Sequence, residues 1–390
     1  MKRYLPVLCF ILAAAFLVLS CNSDVTSGRN ESNEYDDYIE WTPLTGIGPV
    51  VPAPRIQSVI VVESGLTGFY PGDNYQYLNN NVCRDTYAHP PANEWIIFKL
   101  PKAYNHLLFQ WNNGHAYNYN IAESGAPGSY EIQVSDDGAN WVSVVTVTGN
   151  NKAARSHEIT RPNTGWIRFR ATATPAGTSA VSYLIDEFDI HDLTLCDKGT
   201  AWDTWAFIGD SITSDSYWRE NQNKKAFNEL VHEGDPSRYP SMINMGIGST
   251  NSTDLLNRLE QAMKDNPAIH FWAIGIGTNE SDSAVLKSNL QKIVKMLTDD
   301  KRQPIIAHVP FRTDGNPWAS AEMMKAHNVV IDEVSQEFQL PDGPDLYDYF
   351  EKNPAHLHDG IHPTHTIENA EGVKAINRLW SKVALSNIQK

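Results

Sequence analysis

At Asp197-Lys198-Gly199 the hydrophobic period of this chain changes, and that switch constrains the fold more than any other feature. Before it, from Arg55 to Leu195, apolar residues come in short runs at 94–100, 106–111, 130–135, 141–147, 156–160, 165–171 and 183–191. The runs are rich in β-branched and aromatic residues and are separated by Gly, Pro, Asn and Asp, which is the pattern of short strands. Ile132 and Val134, then Val142 and Val144, alternate with polar residues, as half-buried strands of an antiparallel sandwich do. Pro101 is expected to end the first run, and Asp136-Asp137-Gly138 to turn between two strands.

After the switch, apolar runs at 206–208, 241–245, 269–276 and 304–309 alternate with amphipathic stretches at 253–263, 284–297 and 319–338. Leu286, Leu290, Ile293, Val294 and Leu297 fall at helical spacing. This alternation predicts a parallel sheet with helices on both faces, and a site beyond the carboxyl ends of its strands. The chain therefore reads as multidomain, with an antiparallel β-sandwich over 55–197 and an α/β domain over 198–390. Together they exceed the 250–300 residues or so that one core usually holds.

The N-terminus has its own grammar. Met1-Lys2-Arg3, an apolar run over 4–19 and Ser20 before Cys21 form a secretory signal over 1–20. The run falls short of the roughly 20 apolar residues of a membrane span. Val18-Leu19-Ser20-Cys21 resembles a bacterial lipobox, which implies that Cys21 is lipidated and anchors the chain in the cell envelope. Residues 21–54, rich at first in Asn, Ser, Asp and Glu, are expected to be a flexible tether. The formal charge is −15 and there is no basic cluster, which argues against a nucleic-acid partner and suits a neutral, hydrated ligand such as a sugar polymer. With Cys9 in the signal and Cys21 lipidated, Cys83 and Cys196 remain. Spacing alone leaves open whether they are bridged or are two buried thiols.

Three distant segments carry chemistry. Gly209-Asp210-Ser211-Ile212-Thr213 ends one apolar run, Gly277-Thr278-Asn279-Glu280 follows another, and Asp359-Gly360-Ile361-His362-Pro363 lies near the C-terminus. They supply a hydroxyl, an amide donor and a histidine with a carboxylate three residues before it, the parts that acyl transfer needs. Singly, each has a plain structural use: a serine as a helix cap, an Asn as a turn former, an Asp-His pair as a loop contact.

In these segments the chain resembles the SGNH (GDSL-type) hydrolases, serine esterases on a flavodoxin-like α/β fold, from about Trp202 to the C-terminus. The resemblance implies that Ser211 is the nucleophile, His362 the base and Asp359 its orienter. It implies an oxyanion hole from Ser211 N–H, the Asn279 amide, and the N–H of Gly248 or Ser249 in Asn244-Met245-Gly246-Ile247-Gly248-Ser249-Thr250. Glu280 stands where the family usually has Asp, at a position outside the chemistry. No cofactor or metal is expected: His356, His358, His362 and His365 crowd together but lack a helical i, i+4 ligand pattern.

Residues 130–141 resemble the hairpin of discoidin-like (coagulation factor type C) sandwiches, and 183–190 their closing strand. Such jelly-roll-like modules often bind carbohydrate, which makes Trp111 and Tyr117 candidate sugar contacts, with core packing as the plainer use. Tyr217 and Trp218, soon after Ser211, are candidates to stack on a sugar ring on the same terms. The expected function is removal of O-acetyl groups from a carbohydrate such as acetylated xylan or pectin. An envelope thioesterase or lysophospholipase, and an inactive polysaccharide-binding lipoprotein, are the alternatives.

Overall fold

A computed structural model describes residues 50–61, 78–79, 92–112, 125–174, 183–197, 200–216, 225–315, 320–366 and 369–386. The signal, Cys21, Cys83, Tyr117, Tyr217 and Trp218 lie outside them. No helix among the described residues is long and apolar enough to cross a membrane. Residues 43–390 form one compact unit.

Its first half contains β1 (Val50–Val51), β2 (Val59–Val61), β3 (Ile96–Asn112), β4 (Ser129–Ser135), β5 (Val142–Val147), β6 (Ala154–Ala173) and β7 (Glu187–Asp192). The antiparallel sheet runs β2-β3-β6-β4-β5, with β7 also on β3. Pro101 does not end its strand as expected. The two runs around it belong to β3, with register shifts between Lys99 and Tyr104 and between Tyr104 and His106. Phe98 and Phe109 would be about 35 Å apart on a straight strand. Their rings are 5.7 Å apart, so β3 doubles back and wraps its sheet around one core. Phe169, Phe188 and Tyr130 fill that core.

Two further expectations fail here. Val142 and Val144 are exposed, whereas Val145 and Val147 pack on the core. A register shift between Ile132 and Gln133 in the pairing of β4 with β5 skips Val144 and sets Val145 and Val147 opposite the core-facing Ile132 and Tyr130. Trp111 is not a sugar contact: it is fully buried in β3, edge-on to Tyr130 at 5.7 Å. Burial of a large indole in the core outweighs any use it had at a surface.

The second half comprises β8 (Ala201–Trp202), β9 (Thr204–Gly209), α1 (Ser211–Ser216), α2 (Phe227–Gly234), β10 (Ser241–Asn244), α3 (Ser252–Asp265), β11 (Phe271–Gly275), α4 (Ser283–Asp299), β12 (Gln303–Ile306), α5 (Ala321–Glu337), α6 (Leu346–Lys352) and α7 (Glu371–Ser386). Strands β10-β9-β11-β12 form a parallel sheet in that order. Alternate strand residues serve opposite faces. Ala206, Ile208, Trp272 and Ile274 join the core made with α3, α4 and α5. Trp205 stacks on Phe207 and Phe271, Phe227 of α2 lies tilted to Trp205 and edge-on to Phe207, and Trp380 of α7 meets Phe207 edge-on. Burying both faces explains why these strands read as continuous apolar runs. The sequence pattern did not single out α7; it packs on α1 and α2 and closes the second face.

The halves meet along the outer edge of β10. Gln110 Nε2 donates to Met242 O at 3.0 Å, and Asn112 spans Met242 O and Asn244 N. Ser156 N and Oγ donate to Asn266 Oδ1 beyond α3, and Arg155 pairs with Asp265 at 3.0 Å.

Candidate active site

Ser211 opens α1 directly after β9. The turn is tight because two glycines face each other where the strands end, Gly209 paired with Gly275. A Cβ on Gly209 would lie 1.9 Å from Gly275 O, and one on Gly275 2.6 Å from Thr213 Oγ1. Without side chains there, the first helical turn folds over the sheet, and Thr213 Oγ1 donates to Gly275 O at 3.2 Å. Asp210 caps the helix, its Oδ1 accepting from Ile212 N at 3.0 Å.

His362 reaches this point from the far end of the chain. Its Nε2 lies 2.9 Å from Ser211 Oγ, and its Nδ1 lies 2.6 Å from Asp359 Oδ2. Asp359 Oδ1 also accepts from Ile361 N at 2.9 Å and His362 N at 2.7 Å, so the carboxylate both folds its own turn and aims the ring. Burial alone would raise the Asp359 pKa, but these N–H donors and the His362 ring hold it well below the usual carboxylate range. Gly360 takes φ +82°, and its carbonyl accepts from Thr313 N at 2.8 Å. On the other side, Gly372 N at the start of α7 donates to Thr364 Oγ1 at 2.9 Å, fixing the histidine loop on that helix.

The remaining expected donors come together around the same strand ends. Asn279 is exposed, and its Nδ2 donates to Thr250 O at 3.0 Å, leaving the amide's second N–H for another acceptor. Gly248 is buried, while Ser249 is exposed at φ +61°, a left-handed conformation that few non-glycine residues adopt. Thr250 Oγ1, Ile247 N and Arg258 Nη2 all donate to Gly209 O, so this turn is tied to the residue two before Ser211.

Several supports were not visible in sequence. Asn244 Nδ2 donates to Thr213 O at 2.7 Å and its Oδ1 accepts from Gly246 N at 2.9 Å, joining α1 to the turn that follows β10. Glu280, at the position where the resemblance has Asp, accepts from Ser252 N at 2.9 Å and caps α3. Arg312 donates to Thr278 O at 3.3 Å and pairs with Asp314 at 2.6 Å, linking the Asn279 loop to the segment that holds Gly360. An Asn at a strand end, and a Glu and an Arg in loops, carry no periodic signal; only their partners reveal the role.

Asp210 is buried, and burial raises its pKa to about 6 against the opposing pull of Ile212 N–H, Thr278 and His362. Ligand atoms of His358, Asp359 and His362 lie within 4.8 Å of one another. The Asp359–His362 contact already occupies two of them, so a cation there would displace the proton that orients the ring. Cys196 is a buried free thiol directed at Pro52 O at 3.7 Å.

The geometry can be set beside known proteins. Residues 207–367 match the model of the GDSL-like lipase/acylhydrolase family, and residues 71–188 that of the F5/8 type C domain. No curated protein matches the chain. Among solved structures, a lipase/acylhydrolase from Enterococcus faecalis is 21% identical, covering 46% of this chain and 93% of its own at a TM-score of 0.38. An acetylxylan esterase from Geobacillus stearothermophilus is 18% identical over 48% of this chain and 94% of its own, at 0.37. A Bacillus subtilis protein, YXIM, covers 75% of this chain and 80% of its own at 15% identity and 0.40. The chain thus carries an F5/8 type C domain followed by a GDSL-like lipase/acylhydrolase domain.

Proposed function

We propose that this protein is a serine esterase that removes small acyl groups, O-acetyl above all, from a carbohydrate. The carrying observation is the relay from Ser211 Oγ through His362 to Asp359, at 2.9 and 2.6 Å. His362 Nε2 takes the hydroxyl proton as Ser211 attacks the ester carbonyl, while Asp359 holds the other ring nitrogen as the donor and stabilises the imidazolium. The tetrahedral oxyanion is received by Ser211 N–H at the start of α1, by the Asn279 amide and by the N–H of Gly248 or Ser249. His362 returns the proton to the leaving alcohol. Water then enters, gives its proton to His362 and releases the acid.

The acidic composition and the F5/8 type C domain support a carbohydrate over an anionic lipid surface as the substrate's home. In this reading acetylated xylan or pectin is the substrate, and Cys21 holds the enzyme in the bacterial envelope by its lipid.

The test is hydrolysis of p-nitrophenyl esters of rising chain length by the protein from Asn22 onward and by Ser211→Ala, with acetate release from acetylated xylan and pectin. Turnover of the acetate ester that Ser211→Ala abolishes, with acetate freed from a polymer, is expected. Preference for long chains would instead favour a thioesterase or lysophospholipase. Absence of serine-dependent turnover would favour a binding protein.

A further inference from the structure

β10 is the edge strand of the parallel sheet, and its outer backbone groups face the F5/8 type C domain rather than water. Asn112, at the end of β3 and 1% exposed, meets them with both ends of its amide: Oδ1 accepts from Asn244 N at 3.1 Å and Nδ2 donates to Met242 O at 3.3 Å. Accepting from one residue and donating to the residue two before it is what the C=O and N–H of a single residue on a neighbouring parallel strand would do. The side chain completes the ladder that the sheet lacks on this side.

The residue so held is the one that ties the site together. Asn244 reaches Thr213 O in the nucleophile's helix and Gly246 N in the turn leading to Gly248 and Ser249. That packing has no slack, since a Cβ on Gly246 would lie 2.4 Å from Ser214 N. A shift of Asn244 therefore moves Ser211 and the oxyanion turn relative to each other. Gln110, by contrast, contacts only Met242 O on this strand.

We propose that Asn112 is a positioning residue for the hydrolase, a part of the F5/8 type C domain that sets the geometry of the active site through Asn244. The inference rests on the esterase reading above. It makes the N-terminal domain a working component of the catalytic unit, whatever else it binds.

The experiment compares full-length Asn112→Ala, Asn112→Asp and Gln110→Ala with wild type and Ser211→Ala on p-nitrophenyl acetate. Kinetics are run beside thermal melting and titration of reactive serine with a fluorophosphonate. Asn112→Ala is expected to lower kcat about 10- to 100-fold, the cost of misplacing reacting groups by a fraction of an ångström to an ångström, with KM within about twofold. Asn112→Asp, which keeps the acceptor for Asn244 N–H but turns a buried carboxylate oxygen on Met242 O, is expected to lose at least as much kcat. Gln110→Ala is expected to lower the melting temperature with kcat unchanged. If Asn112→Ala does not fold, Asn112→Ser carries the same expectation, because its hydroxyl is too short to span both groups. The role of Asn112 is overturned if the folded variant keeps wild-type kcat, or if Gln110→Ala lowers kcat equally, which would mark a general loss of support. A wild type without Ser211-dependent turnover would overturn the esterase reading and this inference together.

Discussion

Two aspartates flank the contact of Ser211 with His362 in opposite environments, and each gives a prediction at the scale of a single residue. Asp359 is partly exposed and surrounded by N–H donors, so it stays ionised and holds His362 in one tautomer. Asp359→Asn keeps the shape but presents an amide donor to Nδ1. It should lower kcat by about 10³–10⁴ with KM little changed, read by steady-state kinetics. Asp210 is buried, with a folded-state pKa near 6, above its unfolded value of about 3.9. The sign follows: its favourable contribution is full below the unfolded value and is lost as pH rises through about 6. Asp210→Asn keeps an oxygen for Ile212 N and removes the buried charge. The variant should gain on wild type as pH rises from about 4 to 7, by up to about 3 kcal/mol. Parallel stability–pH curves from chemical denaturation would refute this. Ser211, Asp359 and His362 could be named from local motifs because their spacing carries the chemistry. The environment of Asp210 could not, because burial depends on what packs above it.

At the scale of elements, the strand-turn-helix around Ser211 depends on two glycines more than on any side chain. Gly209→Ala would drive a Cβ into the Gly275 carbonyl at 1.9 Å, a clash of backbone with backbone that rotamer change cannot relieve. It should destabilise by about 3 kcal/mol or more, the upper end of overpacking, and lower serine-dependent turnover; a urea midpoint at the wild-type value would count against it. The strands and helices of the second half were readable because both faces of the sheet are buried and the helices α3, α4 and α5 each carry an apolar stripe. Bends and bulges were not. Pro101 looked like a stop, yet β3 continues past it with irregular pairing, and a slip in β4–β5 pairing set Val145 and Val147, in place of Val144, opposite the core-facing residues of β4. Register is settled between strands, so a single strand's alternation cannot report it.

For the molecule as a whole, the join between the two halves is the feature with most consequence. Gln110 and Asn112 cover the β10 edge, Ser156 holds Asn266, and Arg155 pairs with Asp265, so the sheet edge and the end of α3 rest on the F5/8 type C domain. A chain beginning at Asp197 would expose an edge strand and leave buried backbone groups without partners. It should aggregate or lose activity on p-nitrophenyl acetate and on polymer alike, measured by solubility and turnover. Full activity on the small ester would mean the halves act independently. What the sequence by itself determined is the order of two domains, their layer types and the identity of the relay residues, because hydrophobic period and motif spacing are local properties of the chain. What only the tertiary structure decided is which aromatic is core, which carboxyl is buried, and that a side-chain amide from one domain finishes the sheet of the other. The first two depend on packing between strands and loops distant in sequence, and the last on a contact between residues more than a hundred positions apart, where no periodicity reaches.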